Sequence, residues 1–333
     1  MIRDFTFCVL AYNHSDHIIE HLESIKYQIN NYGGNIDYNL IVNDDASSDD
    51  TVSLVEDWLT HNDNIFNKVD KIFNKTNLGT CQSVVNIANI LGTQYCKITA
   101  ADDVYTQNNI FEFVSNNPSF SLVTGVPVRL VDGKVKISFF EIFNYFASDY
   151  IYKKKPLLNR LANVSIVNAP NLFYSTEYLK NPDLMNFLNK YDVVEDWPLQ
   201  VSIAKTDTQV KLVATKTPVV LYRRTSGSTY LVASKRFVKD QVQLFDYLID
   251  LYGKRGDRLQ AFLLRNRRYL FLKKSRLLKS LFNVSRFIYL LKLFYYLPFI
   301  AWDYKKFKIN INDYQEYYDE IQSNAKRFEN KIL

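Results

Sequence analysis

The chain has 333 residues, 47% of them hydrophobic and 23% charged, with nine Gly and eight Pro. That is enough apolar material for one large domain or a domain with an appendage, and it excludes a disordered, low-complexity or Gly-rich linker protein. The net charge of +6 is unevenly placed: the first hundred residues lean acidic, whereas residues 254–308 carry many Lys and Arg and only two acids, Asp257 and Asp303. Such asymmetry points to a basic surface facing phosphate, whether of lipid or of nucleic acid.

In chain order, residues 5–11 (Phe-Thr-Phe-Cys-Val-Leu-Ala) read as a buried strand. Residues 16–30 place apolar side chains at 18, 19, 22, 25 and 29, which is helical spacing. A second strand covers 38–43, an acidic turn 44–50, and a helix 51–60, with Ser and Asp available to cap it. A short strand at 69–73, a helix at 80–91, a strand at 95–99 and a helix at 107–116 follow. This alternation predicts a mostly parallel sheet with helices on both faces. Between 121 and 230 the pattern is mixed, with strands at 122–129 and 218–222 and a helix at 196–205. From about 234 the chain reads as successive helices, so the expected division is a domain over 1–232 and a helical region over 233–333.

Three cysteines, Cys8, Cys81 and Cys96, read as buried free thiols of a reducing compartment. No signal peptide is evident, and a cytoplasmic protein is expected. No run of about 20 uninterrupted apolar residues occurs, which predicts no membrane span. His17 and His21 lie four apart on a predicted helix, but Glu20 is misplaced for a His-Glu-x-x-His zinc motif, so an exposed helix face is expected. Neither a Gly-x-Gly-x-x-Gly nor a Gly-Lys-Ser/Thr loop is present, which argues against dinucleotide oxidoreductases and P-loop enzymes.

Ligands of parallel α/β sheets bind at the carboxyl ends of strands. Asp44 and Asp45 follow the second predicted strand, and Asp102 and Asp103 follow the strand at 95–99. Two carboxylate clusters in one crevice repel unless a cation or donor lies between them, and Mg²⁺ or Mn²⁺ shares such oxygens with a diphosphate. The plainer alternative is that the acids fill turns and cap helices, which suffices for Asp49 and Asp50. Glu195 and Asp196 open a predicted helix. They read either as ordinary N-terminal charge or as a carboxylate placed to act as a general base. Arg223, Arg224 and Ser226 follow the last predicted strand and suit a phosphate, with a solvated basic loop as the alternative. Residues 168–171 (Asn-Ala-Pro-Asn) are a candidate acceptor-side loop.

Five motifs in order give the sequence a resemblance to family-2 glycosyltransferases of the GT-A fold. They are Val9-Leu10-Ala11-Tyr12-Asn13; Val42-Asn43-Asp44-Asp45-Ala46-Ser47-Ser48-Asp49-Asp50-Thr51; Asn77-Leu78-Gly79; Ala101-Asp102-Asp103-Val104; and Val194-Glu195-Asp196-Trp197. The resemblance spans about residues 5–230. It implies that Asp45 contacts the nucleotide base, most often uracil, with Asp44 beside it. Leu10, Ala11, Tyr12 and Asn77 would then line the nucleotide pocket. It implies that Asp103 binds a divalent metal (Mn²⁺ or Mg²⁺) bridging the diphosphate, that Asp102 holds ribose or donor sugar, that Asp196 is the catalytic base and that Glu195 stands near the acceptor. The sequence departs from the family at Ala46, where Gly is usual, and at Asp102-Asp103-Val104, where Asp-x-Asp is usual.

Residues 265–308 interleave basic and apolar side chains, with Phe, Tyr, Trp, Ile and Leu between 287 and 302, as interfacial helices on an anionic membrane do. The competing reading is that these helices pack on the catalytic domain. The expected function is an inverting transferase. It would pass sugar from a nucleotide-diphosphate sugar, of UDP type, to a glycan or lipid-linked glycan in surface-polysaccharide (O-antigen or capsule) synthesis at the inner face of the cell membrane. The alternatives are a non-catalytic nucleotide-sugar or glycan binder that kept the fold, and a nucleic-acid binder, which the lack of any such motif disfavours. Donor sugar, acceptor, linkage and oligomeric state are not legible.

Overall fold

A computed structural model describes residues 2–117, 121–163, 167, 169–207, 209–224 and 234–332. Its core is a nine-stranded sheet. Strands β1 (Asp4–Ala11), β2 (Asp37–Asp44), β3 (Lys68–Phe73) and β4 (Tyr95–Ala100) are mutually parallel in the order β3-β2-β1-β4. The helices between them are α1 (Ile18–Tyr32), α2 (Thr51–Asn62) and α3 (Thr80–Ile90). Alternation along β1 divides the two faces. Phe5, Phe7, Val9 and Ala11 pack with Ile18, Leu22 and Trp58 of α1 and α2. Cys8 points the other way, joining Ile41, Cys96 and Val84 on the α3 side. All three cysteines are buried and free. These parallel elements agree with the sequence reading to within a few residues.

Beyond β4 the sheet turns mixed and curls. β5 (Val104–Tyr105) leaves β4 after one turn, followed by α4 (Ile110–Ser115) and β6 (Leu122–Val131). β7 (Lys134–Lys136), α5 (Phe139–Tyr152) and α6 (Leu157–Asn163) come next, then β8 (Leu172–Ser175), α7 (Thr176–Leu179) and α8 (Pro182–Leu188). α9 (Asp196–Thr206) and β9 (Leu212–Arg223) complete this part. The path continues β4-β8-β6-β9-β5, with β7 on β6. Although β5 is four residues from β4 in sequence, it pairs with β9 at the far end, Val104 opposite Leu221. This return draws Arg223 beside Asp102 and Asp103. The helix expected at 107–116 starts only at Ile110, because the carbonyls of Thr106 and Asn108 accept from the Gln28 amide, and that of Gln107 from Tyr32. Asn109 then caps the helix through the Phe111 and Glu112 amides.

Five helices follow: α10 (Lys235–Lys254), α11 (Arg258–Phe271), α12 (Arg276–Leu281), α13 (Val284–Lys306) and α14 (Ile311–Ile332). They do not build a core of their own. Leu244, Phe245 and Leu248 of α10 share a cluster with Trp197 and Val84, and Tyr317, Tyr318 and Ile321 of α14 share one with Val104 and Leu221. α13, contrary to the sequence expectation of no span, is long and apolar enough by length and composition to cross a membrane. The interruptions at Lys292 and Pro298 leave it continuous.

Candidate active site

The carboxyl ends of β1, β2 and β4 lie side by side, with β1 in the middle. The Asp45 amide donates to the Ala11 carbonyl at 2.9 Å, and the Ala101 amide to that of Leu10 at 2.9 Å, so both acidic turns are tied to the same strand end. Leu10 and Ala11 sit beneath, while Tyr12 is 46% exposed at the rim. Asp44 is buried and accepts from the Ser47 amide at 2.8 Å and from the Ser47 hydroxyl. Asp45 is also buried. Its Oδ1 accepts from Asn74 at 2.9 Å and the Leu78 amide at 2.8 Å, and its Oδ2 from the Gly79 amide at 2.8 Å. The Asp45 carboxylate thus fastens the loop before α3 to the end of β2. Asn77 is exposed beside it. Ala46, between the two Asp and Ser47, has φ 65°, a left-handed conformation in which Gly is the unstrained residue.

Gly79 forms the seam with the next loop. Its φ is 88°, and a Cβ there would lie 2.3 Å from Asp192 Oδ1. The Cys81 amide donates to the Asp192 carbonyl at 3.0 Å. Arg236, from the first turn of α10, donates through Nε and Nη2 to the Asp192 carboxylate, both at 2.5 Å, and through Nη1 to Asn77 Oδ1 at 3.1 Å. Behind it Asp240, also on α10 and fully buried, accepts from three successive amides: Asp192 at 2.9 Å, Val193 at 2.8 Å and Val194 at 3.1 Å. The next residues are Glu195 and Asp196. Sequence reasoning missed Arg236, Asp192 and Asp240. Pairing across a gap of 48 residues carries no local signal, and the intervening residues 225–233 include the expected phosphate ligand Ser226, which lies outside the described residues.

Asp196 opens α9, and its Oδ1 accepts from the Trp197 amide at 2.6 Å. Burial lifts its carboxyl to about 6, against the hydrogen bonds that pull it down. Glu195 is lifted to about 8 by burial and then by the neighbouring Asp196 charge. At neutral pH this pair holds one proton and one negative charge. Both carboxylates also push up the buried Cys81 thiol of α3, after burial itself, which places them on the α3 side of the sheet.

At the end of β4 the two acids part. Asp102 is half-buried, and its carboxylate makes no hydrogen bond among the described residues. Asp103 is fully buried, its Oδ1 accepting from the Arg223 amide at 2.8 Å. Burial, then the Asp102 charge, raises its carboxyl well above the usual range. Its Oδ2 is buried with no hydrogen-bond partner among the described residues, an acceptor that the expected cation could take up, while Asp102 is the more exposed acid of the two. Arg223, an expected phosphate residue, lies against this turn. Its guanidinium is buried in an ion pair with Glu20 and donates to the Asp102 carbonyl at 2.6 Å, with Tyr318 of α14 donating to Glu20 at 3.1 Å. Arg224 pairs with Glu141 at 3.0 Å, as Arg129 also does. His21 is not on an exposed face but fully buried. Its Nδ1 lies 2.7 Å from the Asp103 carbonyl, and burial lowers its pKa to about 4. The ring is neutral, and Nδ1 carries the hydrogen because a carbonyl only accepts.

A cavity of about 310 Å³ opens beside β6, lined by Arg129, Glu141, Tyr145, Arg160, Asn171 and Tyr289 among others. Asn171 is the end of the candidate acceptor loop, whose Asn168 lies outside the described residues. Its buried Oδ1 has no partner among the described residues. The cavity adjoins α9 through Val167, whose amide donates to Gln200 at 3.2 Å.

Among the described residues no group of three or more His, Cys, Asp or Glu could hold a metal. The free carboxylate of Asp102 nonetheless suits a hard cation that takes its remaining oxygens from substrate phosphates and water.

A curled, mostly parallel sheet with acidic turns at its strand ends, covered by helices on both faces, is the architecture of the GT-A nucleotide-sugar transferases. Solved structures share it over nearly the whole chain. TarS residues 1–349 from S. aureus, in complex with UDP-GlcNAc, is 16% identical with a TM-score of 0.57, covering 96% of this chain and 92% of that one. The mannosyltransferase PcManGT from Pyrobaculum calidifontis, in complex with GDP-Man and Mn²⁺, is 14% identical with a TM-score of 0.52, covering 97% and 86%. No curated protein matches the sequence. The profile of glycosyl transferase family 2 matches residues 6–167. The chain is a glycosyltransferase carrying a family-2 domain.

Proposed function

We propose that the chain is an inverting glycosyltransferase that moves a sugar from a nucleotide-diphosphate sugar of UDP type to a glycan or lipid-linked glycan of a surface polysaccharide, with Asp196 as general base. One observation carries this reading. A carboxylate raised to about 6 stands at a helix N-terminus, on a loop that abuts Gly79 at the nucleotide crevice. Such a group is ionised at neutral pH yet basic enough to accept a proton from an acceptor hydroxyl. The acceptor oxygen attacks the anomeric carbon as its proton passes to Asp196. The bond from that carbon to the diphosphate breaks, and the electron pair leaves with the nucleotide. Glu195, protonated at neutral pH, can donate a hydrogen bond to the acceptor. A divalent cation held by Asp102 would supply charge neutralisation for the departing diphosphate. Asp45, by fixing the loop of Asn77 and Leu78 against β2, shapes the floor on which the base rests, and Tyr12 flanks it.

The test is transfer from a panel of nucleotide sugars. Asp196→Asn is expected to bind donor with unchanged affinity by calorimetry while transfer falls by a factor of about 10³. Full activity of that variant would remove Asp196 from the role of base.

A further inference from the structure

α13 is apolar on two opposite faces. Tyr289, Leu293, Tyr296 and Ile300, at helical spacing, face α5 and the cluster around Phe146 and Ile151. Half a turn away, Leu291, Phe294, Tyr295 and Trp302 form a second stripe at the same spacing, with Leu291 74% and Phe294 79% exposed. A helix hydrophobic all round belongs in an apolar surrounding, and the protein supplies one to only half of it.

Charge decides what covers the other half. Arg286 and Lys292 lie along the helix, and Lys305 and Lys306 at its end. Its single acid, Asp303, turns inward, accepting from Lys216 and from the Tyr150 hydroxyl, each at 2.8 Å. The outward surface therefore presents cations, aliphatic side chains, Tyr and Trp, with no carboxylate from this helix. That combination suits the headgroup layer of an anionic bilayer. Packing decides the orientation. A spanning α13 would carry α5 and the edge of the sheet into the hydrocarbon, together with Asp303 and Lys216.

We propose that α13 lies in the plane of an anionic membrane surface, its Leu291–Trp302 stripe among the acyl chains and its lysines at phosphate depth. This goes beyond the transfer reaction and stands or falls separately from it, because none of these side chains belongs to the crevice.

The chain carries its own reporter. Trp58 and Trp197 are fully buried, whereas Trp302 is 60% exposed. Full-length protein is titrated with vesicles of phosphatidylcholine alone and of phosphatidylcholine with 30% phosphatidylglycerol, a mixture chosen at about the anionic share that makes surface potential count. The expected result is a blue shift of Trp302 emission and quenching by brominated acyl chains, with anionic vesicles only, both lost in Trp302→Phe. In flotation, Leu291→Asp/Phe294→Asp is expected to lower the bound fraction at least about tenfold, and Lys305→Glu/Lys306→Glu to lower it less and to abolish its salt sensitivity. Both pairs are exposed, so the thermal melt is expected to stay put, and donor turnover in solution is expected to be unchanged. Absence of any Trp302 shift, or equal flotation of the Leu291/Phe294 variant, overturns the proposal. So does a wild-type dimer that this variant dissolves without any vesicle binding, or binding to DNA in place of vesicles.

Discussion

Replacing Asp240 tests whether the helical region completes the site. Its carboxylate accepts three amides in a row from residues 192–194, and the chain then passes directly into Glu195 and Asp196. Hydrogen bonds to a charged acceptor contribute about 1.5–3 kcal/mol each, and a buried amide left without one costs about 1–3 kcal/mol. Those contributions are not additive, because a freed loop recovers part of them with water. For Asp240→Ala we take about 3–5 kcal/mol against loop order. For Asp240→Asn, which keeps one accepting oxygen but loses the charge, we take about 1–2 kcal/mol. Since each 1.36 kcal/mol is tenfold in rate, the Asn variant is expected to lose about tenfold in kcat, and the Ala variant about 10²- to 10⁴-fold. KM for the donor should move by less than about threefold, because Asp45 and Asn77 still hold their side of the crevice. The assay is steady-state transfer at 20 °C beside a thermal melt. A lowered Tm with wild-type kcat would make Asp240 a purely structural residue and refute the reasoning.

Three further outcomes follow from the same geometry. Transfer should rise with pH through about 6 as Asp196 loses its proton, and fall near 8 as Glu195 does. Glu195→Gln should remove the alkaline limb alone, since Glu195 is already neutral at pH 6; an unchanged profile would refute the assignment. Because both carboxyls are raised above their unfolded values, their contribution to stability is full below about 4 and is lost as pH rises through 6 and 8, which a melting series in pH can follow. Ala46→Gly should relieve left-handed strain of about 1–2 kcal/mol, less the chain entropy of Gly, for a net gain of about 0.5–1 kcal/mol and about 1–2 °C in Tm. A drop in Tm would refute it. Asp102→Asn should abolish the Mn²⁺ dependence of donor affinity measured by calorimetry. Asp103→Asn should leave it intact while lowering stability by about 1–3 kcal/mol; the reverse pattern would assign the metal role to Asp103.

Much of the parallel half was legible because its signals are local. β1 reads as buried because both its faces are covered, and the turns that follow β2 and β4 announce themselves as paired acids. The mixed half was not, since β8 is only four residues long and the pairing of β5 with β9 joins segments more than a hundred residues apart. The same long-range contacts explain why the surroundings of the site residues were not legible. An Asp-Asp pair at a strand end does not say which carboxylate turns outward. That depends on β5 bending back to offer the Arg223 amide to Asp103. An Arg after a strand gives no local sign that Glu20 and Tyr318, separated by 298 residues in sequence, close around it.

These contacts give the helical region a different standing from that of an appendage. Its first helix holds the 192–194 amides through Asp240 and grips Asp192 and Asn77 through Arg236. Its last helix places Tyr318 and Gln322 on Glu20, which in turn secures Arg223 beneath the Asp102–Asp103 turn. Both lips of the crevice, the base-bearing loop and the acidic turn of β4, are thus braced from beyond residue 233. Between these two braces in sequence lies α13, with its apolar outward stripe. A chain arranged this way fixes the orientation of the crevice relative to whatever surface α13 meets, because the elements that seat α13 and those that shape the site belong to one continuous packing.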